Sequence, residues 1–129
     1  MRLNPDCIRD ILTYIEDNSI IVQDKYRSVS LNDMISKSKY NYTIEELAYH
    51  IKQLEIDKLV FGVTCDLAFN YSVEDLTPDG HRFLANIRND DNWSKTKEIT
   101  RSVGGFSIQM LKNVSESVLV ALINKKLGL

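Results

Sequence analysis

The sequence predicts an α+β fold that is mostly helical, and three patterns along its 129 residues predict it. Apolar residues recur at steps of three and four in several stretches, which is typical of amphipathic helices. Two short runs rich in β-branched and aromatic residues, at 59–63 and 68–73, indicate paired strands. Helix-capping signals precede several of the helical stretches and thereby set the order of the elements.

The first predicted helix begins at Asn4 and Pro5, because asparagine is a preferred N-cap and proline is tolerated in the first turn. Its apolar positions follow helical spacing and predict one buried face: Ile8, Ile11, Leu12 and Ile15. The helix is expected to end at 17–19. Residues 19–29 are expected to form a loop with one short strand at 27–29.

Two further helices are predicted on either side of a polar turn at 37–42. Ser30 is expected to cap a short second helix. Thr43, with Glu46 three residues later, matches a capping box and starts the third helix. Five apolar positions predict the buried face of that helix: Ile44, Leu47, Ala48, Ile51 and Leu54.

The strands at 59–63 and 68–73 are expected to pair around a tip at 64–67. Thr77 and Pro78 then start a fourth helix, with Gly80 in its first turn. A glycine there fits either a close approach of the sheet or exposure to solvent. The order of helix, turn, helix, two strands and helix is the signature of a winged helix-turn-helix, in which the strand pair is the wing.

A polar break at 89–92 divides the predicted winged helix-turn-helix domain (1–90) from a helical extension (91–129). The extension is expected to contain a helix at 93–103, anchored by Trp93, Ile99 and Val103, and a last helix at 106–126. The last helix is apolar over a wide face, so it must pack on its own domain, on a second copy or on another partner. Four positions predict a self-association stripe: Leu111, Val114, Val118 and Leu122.

The net charge of −2 is unevenly distributed, because the charges sum to −5 over 1–90 and to +3 over 91–129. An acidic winged helix argues against strong phosphate binding, since non-specific DNA affinity depends on Lys and Arg. The chain has no apolar run of membrane-spanning length and no apolar segment typical of a secretory signal near Met1. We therefore expect a cytoplasmic protein without a membrane partner.

Neither a metal site, a cofactor nor catalytic residues are predicted. The two cysteines and two histidines (Cys7, Cys65, His50 and His81) do not have the close pair spacing of zinc ligands. A glycine-rich phosphate loop and the nucleophile and zincin motifs are missing from the sequence. Asp79 and His81 lie in a helix-starting turn, where the helix dipole explains the aspartate. The chain is therefore predicted not to be an enzyme.

Several collinear segments are similar to a known family. The longest are 3–12 (LNPDCIRDIL), 49–54 (YHIKQL) and 76–84 (LTPDGHRFL), and shorter ones lie at 86–88, 93–97 and 106–107. Together they resemble a family of short phage and prophage proteins, a domain of unknown function found in phages and mobile elements of Gram-positive bacteria. The resemblance implies a winged-helix architecture and a phage or prophage origin, but it implies no reaction and no ligand.

Two functions from different classes are compatible with the sequence. The first is a DNA-binding regulator, acting as a homodimer, whose predicted contacts surround the third helix: Lys37, Lys39, Asn41, Tyr42, Thr43, Tyr49, Lys52 and Gln53. The alternative is an adaptor that binds a host or phage protein. Its predicted surface combines the acidic third helix with an apolar wing: Glu45, Glu46, Leu67 and Phe69.

Overall fold

The computed structural model describes residues 1–37 and 39–129, and in these residues the fold is α+β and mostly helical, with small antiparallel sheets. The helices are α1 (Pro5–Asn18), α2 (Leu31–Ile35), α3 (Ile44–Ile56), α4 (Pro78–Ile87), α5 (Asp90–Val103) and α6 (Ile108–Leu127). The strands are β1 (Ile20–Val22), β2 (Lys25–Arg27), β3 (Val29–Ser30), β4 (Val60–Phe61), β5 (Thr64–Cys65), β6 (Tyr71–Val73) and β7 (Asp75–Leu76).

The core is built around α1, which contacts α3, α4 and β7. The predicted stripe of α1 is confirmed, because all four of its apolar residues are fully buried. Leu47, Ile51 and Leu54 of α3 and Phe83, Leu84 and Ile87 of α4 are buried in the same cluster. Ile44 and Ala48, which the sequence also predicts to be buried, are only half-buried.

The predicted N-caps of the first four helices are confirmed by their hydrogen bonds. The Asn4 side chain accepts from the backbone N–H groups of Asp6 and Cys7, and the Ser30 hydroxyl accepts from Asp33. Thr43 and Glu46 form the reciprocal pair of a capping box at the start of α3. These bonds satisfy backbone donors that a helix start otherwise leaves unpaired.

The loop predicted over 19–29 is wrong in detail, because β1 and β2 form an antiparallel hairpin there and β3 follows at Val29–Ser30. Gln23 and Asp24 connect β1 to β2 with φ angles of 51° and 62°. Positive φ at both central residues is typical of the tightest hairpin turns, which usually contain Asn and Gly. The pair Gln-Asp lacks that signal, which explains why the sequence pattern missed the turn.

The second hairpin is longer and more interrupted than predicted. Its outgoing side consists of β4 and β5, and its returning side consists of β6 and β7. Strand β3 also pairs with β6, which gives a three-stranded sheet of order β3-β6-β5. Gly62, with φ +70°, breaks the outgoing side between β4 and β5. The tip lies at 66–70 rather than at the predicted 64–67, because Thr64 and Cys65 pair with Ser72 and Tyr71.

The two last helices begin at residues other than those predicted. Asn89 caps α5, whose first residue is Asp90, so most of the polar break at 89–92 is the first turn of this helix. Ser107 caps α6 by accepting from the backbone N–H of Met110, which moves the start of the helix to Ile108. The difference at α5 arises because polar side chains that suggest a loop also make good caps, whereas the cap of α6, Ser107, lies inside the segment predicted to be helical.

Polar contacts attach α5 to α1. Asp6 accepts hydrogen bonds from Trp93 Nε1 at 2.8 Å and Lys97 Nζ at 2.9 Å. Burial by itself raises the pKa of Asp6, but the hydrogen bonds from Lys97 and Trp93 outweigh it and hold the pKa below its usual value. Arg9 pairs with Asp90 at 2.7 Å. These contacts join the predicted extension to the first helix of the chain.

The anchors predicted for α5 are only partly correct. Trp93 is buried, whereas Ile99 and Val103 are exposed to solvent. Buried Thr96 and Thr100 take their place, and each donates its hydroxyl hydrogen to the carbonyl oxygen four residues earlier. In the residues that the structure describes, none of the helices has the length and apolar character needed to cross a bilayer.

Gly80 lies where α4 approaches the start of the second hairpin. A Cβ atom at this position would lie 2.0 Å from the backbone carbonyl oxygen of Leu59. That oxygen also accepts a hydrogen bond from the backbone N–H of Thr77, so it cannot move away freely. Of the two explanations for this glycine, close approach of the backbone is therefore correct.

We expect Gly80→Ala to lower the free energy of unfolding by about 3 kcal/mol, because overpacking forces the backbone of α4 away from Leu59. Urea denaturation followed by circular dichroism measures the change. The control is Gly105→Ala, where an added Cβ meets no atom within 4 Å but a φ of +95° disfavours a side chain, so its loss measures backbone strain without overpacking. A loss at Gly80 no larger than the loss at Gly105 would contradict this account.

Candidate functional site

The outer face of α3 is the surface on which both sequence hypotheses depend. Glu45 and Lys52 are exposed, whereas Tyr49 and Gln53 are half-buried. Three glutamates and one lysine lie in the helix, so the helix is acidic. An acidic helix is repelled by a phosphate backbone and attracts a basic surface instead.

The turn before α3 contains several of the predicted DNA contacts, and it includes Ser38, which lies outside the described residues. Tyr42 donates its hydroxyl hydrogen to Asp10 at 2.7 Å, and burial followed by this bond raises the pKa of Tyr42. The Thr43 hydroxyl is held in the capping box. Both side chains therefore have structural partners. Lys37, Lys39 and Asn41 are exposed, and the Lys39 ammonium lies 5.0 Å from the centre of the Tyr40 ring.

A cleft of about 570 Å³ borders the second half of α3. Tyr49, Gln53 and Asp57 line one side of this cleft, and the segment 105–109 lines the other. The connection between α5 and α6 thus lies beside two of the predicted DNA-contacting side chains. The other half of α3, with Glu45, Glu46 and the preceding turn, does not border this cleft.

The tip of the second hairpin is held by one side chain. Asp66 Oδ1 accepts from the backbone N–H groups of Ala68 and Asn70, at 2.8 and 2.9 Å. Asp66 Oδ2 accepts from the Asn70 side chain at 3.0 Å. The hydrogen bonds from the Asn70 backbone and side chain lower the pKa of Asp66. The carboxylate therefore keeps the tip in one conformation at neutral pH.

Two large apolar side chains project from this tip. Leu67 is fully exposed and Phe69 is 69% exposed. Phe69 also has a φ of +61°, a left-handed conformation that bulky residues rarely adopt. A strained and exposed aromatic side chain on a rigid turn does not contribute to the core, and such features are common at binding sites.

The self-association stripe predicted for the last helix mostly faces the chain itself. Leu111 is fully buried and Val114 is nearly so. Val118 and Leu122 are half-buried and line a groove of about 470 Å³ together with Ile99 of α5. The prediction of a self-association stripe is therefore wrong in part, because this apolar face of α6 packs on α5. Leu111 and Val114 are not available to a second copy.

The titratable side chains do not form a reactive cluster in the part of the chain that the structure describes. Cys7 is buried, and burial raises the pKa of its thiol to about 12. His81 lies 3.3 Å from Glu16 and 3.8 Å from Asp75 near the surface. Among the described residues, none of the groups of His, Cys, Asp and Glu could hold a metal ion.

One known protein family matches most of this chain. A family described as hypothetical protein, DUF2513, matches residues 2–107. The chain belongs to the DUF2513 family. The matched segment contains α1 to α5 and both hairpins, and it ends directly before α6. Neither a curated protein nor a solved structure matches this DUF2513 chain.

His50 is a structural residue of this DUF2513 protein that the sequence analysis did not identify. The ring is buried between α3 and the start of α1. Its Nδ1 lies 2.7 Å from the Glu46 carbonyl oxygen, and its Nε2 accepts the backbone N–H of Asn4 at 2.8 Å. Both bonds are satisfied only by a neutral ring with its proton on Nδ1. The only signal in the sequence is that His50 follows Leu47 and precedes Leu54 at helical spacing.

Burial lowers the pKa of His50, despite the opposing effect of its bond to the Glu46 carbonyl. We therefore expect the stability from His50 to be complete above about pH 6.5, its ordinary pKa, and to be lost as the pH falls through the lower pKa of the folded state. The reason is that protonation places a second N–H against the Asn4 donor. Urea unfolding at several pH values measures the effect.

The control is His50→Gln, which carries no titratable group at this position. We expect the variant to be less stable than the parent by about 2 kcal/mol at pH 7, with a smaller further loss between about pH 6.5 and pH 5. Parallel pH profiles for the two proteins would contradict the assigned neutral ring.

Proposed function

We propose that residues 1–90 form a winged helix-turn-helix domain of phage or prophage origin. The strand order β3-β6-β5 supports this architecture, because β3, the strand directly before α2, pairs with the strand that returns from the hairpin tip. The helices α2 and α3 lie between those strands along the chain, as the architecture requires. The collinear segments described above support the origin, and a cytoplasmic location remains a prediction.

We further propose that the protein is a non-enzymatic adaptor whose wing binds another protein. The observation that carries this proposal is the wing tip, where Leu67 and Phe69 are presented to solvent by a turn that Asp66 holds. A rigid aromatic side chain loses little conformational freedom on binding, and such side chains are common anchors in protein interfaces. The strained φ of Phe69 supports a role in binding, because glycine would be the more stable residue there.

Charge distinguishes this proposal from DNA binding. The tip at 66–70 has no Lys or Arg that could contact phosphates in a minor groove. Glu45 and Glu46 lie at the start of α3, the part of a recognition helix that normally contacts base edges. The same two features suit a protein partner with an apolar pocket next to basic residues.

Affinity capture from a Gram-positive bacterial lysate tests the adaptor proposal. We expect Leu67→Ser combined with Phe69→Gly to lose the captured partner, because the anchor side chains are removed. Thermal unfolding should show that this variant is at least as stable as the parent, since Phe69→Gly relieves the left-handed strain.

The matched control is Ile21→Ser combined with Val103→Ser, which removes two exposed apolar side chains elsewhere on the surface. This control should retain the partner. The proposal fails if both variants capture the same proteins as the parent chain, or if the control loses the partner and the wing variant does not.

DNA binding remains a second candidate because Lys37, Lys39 and Lys52 are exposed on α3 and the turn before it. If these lysines contact phosphates, affinity for bulk double-stranded DNA at about 50 mM salt should fall with added salt, with a log–log slope of about −3. Lys37→Glu combined with Lys52→Glu should abolish the binding. Lys125→Glu combined with Lys126→Glu, on α6, should leave it intact. Absence of binding at about 50 mM salt excludes this candidate.

A further inference from the structure

One segment of α6, residues 118–123, is apolar on every side of the helix. Residues 118–123 are six consecutive apolar residues, and neighbouring residues in a helix point roughly 100° apart, so together they encircle the helix. A helix that is apolar all round is normally covered by other structure. In this chain the buried residues of α6 are confined to its first half: Ile108, Leu111, Val114 and Ser115.

Three apolar residues in the second half of α6 form its most exposed line. Val120, Ile123 and Leu127 are 55%, 47% and 67% exposed, and their spacing of three and four residues aligns them along the helix. We call these three residues the α6 seam. The spacing is that of a coiled-coil contact, in which the line of apolar residues faces a second helix. The groove with α5 lies on another side of α6 and is lined by Val118 and Leu122.

Helix α4 covers the same side of α6 only before the seam begins. Asp79, Arg82 and Asn86 of α4 line a small cleft together with Lys112 and Glu116 of α6. Glu116 lies four residues before Val120, on the same line as the seam. The seam therefore lies on the same side of α6 as the residues that border the cleft with α4. Beyond this cleft, none of the described residues covers the seam.

Charge at the two ends of the seam indicates what covers it. Glu116 precedes the seam, and Lys126 lies in the last turn of α6 beside Leu127. If a second α6 ran antiparallel, with the symmetry axis between Val120 and Ile123, each Val120 would face an Ile123. Each Glu116 would then lie next to Lys126 of the second copy, so that two opposite-charge pairs form. A parallel arrangement would place like charges together.

We propose that the α6 seam binds a second copy of this chain, with the two α6 helices antiparallel and related by twofold symmetry. The inference does not depend on the proposed wing function, because it uses only α6. The antiparallel arrangement also opposes the two helix dipoles. The contact extends over about 18 Å of each helix, so we expect a weak dimer with a dissociation constant on the order of 10 µM.

Sedimentation equilibrium of the full chain between about 1 and 200 µM tests the proposal. We expect a monomer–dimer equilibrium in the parent chain and a monomer throughout this range for Val120→Glu combined with Ile123→Glu. The matched control is Ser28→Glu combined with Ser94→Glu, two exposed serines that lie outside α6. This control adds the same charge and should still dimerise.

If the parent chain stays monomeric at about 200 µM, the proposal is wrong, even if another partner covers the seam. Dimers that resist the seam substitutions but dissociate in the control overturn it too, because the second copy would then contact the surface around Ser28 or Ser94 instead of the seam.

Charge reversal tests the antiparallel register. Glu116→Lys alone should raise the dissociation constant about tenfold, because it places two cations together at each end of the seam. Combining it with Lys126→Glu should restore the affinity of the parent chain. Circular dichroism establishes that each variant is folded. A double variant that dimerises no better than Glu116→Lys overturns the antiparallel arrangement.

Discussion

The burial of α1 is the constraint on which the rest of this fold depends. Every apolar residue of its inward face, from Ile8 to Ile15, is excluded from solvent. The helices α3 and α4 pack on α1, and β7 contacts it as well. Removal of this apolar surface from water is the main favourable term in folding. Because α1 is central, its polar residues also position the elements around it.

Three polar contacts of α1 show how this positioning works. His50 connects α3 to the backbone of Asn4, and Tyr42 connects the preceding turn to Asp10. Asp6 connects α1 to Trp93 and Lys97 of α5. Each contact joins residues that are far apart in the sequence, so each restricts the relative placement of two elements. The tip of the second hairpin is exposed at the surface of this body, and the second half of α6 lines a groove with α5.

The two exposed apolar surfaces differ in the way they are held. The tip of the second hairpin is ordered locally, because Asp66 bonds to residues within four positions of itself. The α6 seam is ordered by the helix to which it belongs and by the burial of the first half of that helix. The seam shares its helix with Leu111 and Val114, so its direction is linked to the packing of α5.

Local signals in the sequence were sufficient for the starts of the first four helices, since a cap or an apolar stripe depends on residues within about one turn. Thr43 with Glu46 and Thr77 with Pro78 are such cases. The β1–β2 hairpin was missed because Gln23 and Asp24 adopt positive φ without the usual Asn-Gly signal. Asn89 was interpreted as part of a loop because the same side chains suit loops and caps.

By itself, the sequence determined an α+β chain, the four N-caps from Asn4 to Thr77 and the apolar face of α1, since these follow from periodicity and local hydrogen bonding. Only the tertiary structure decided which side of α6 meets α5 and which side stays open. It also decided that His50 is neutral and buried and that Gly80 lies against Leu59. These features depend on contacts between distant residues, whose geometry a local pattern does not contain.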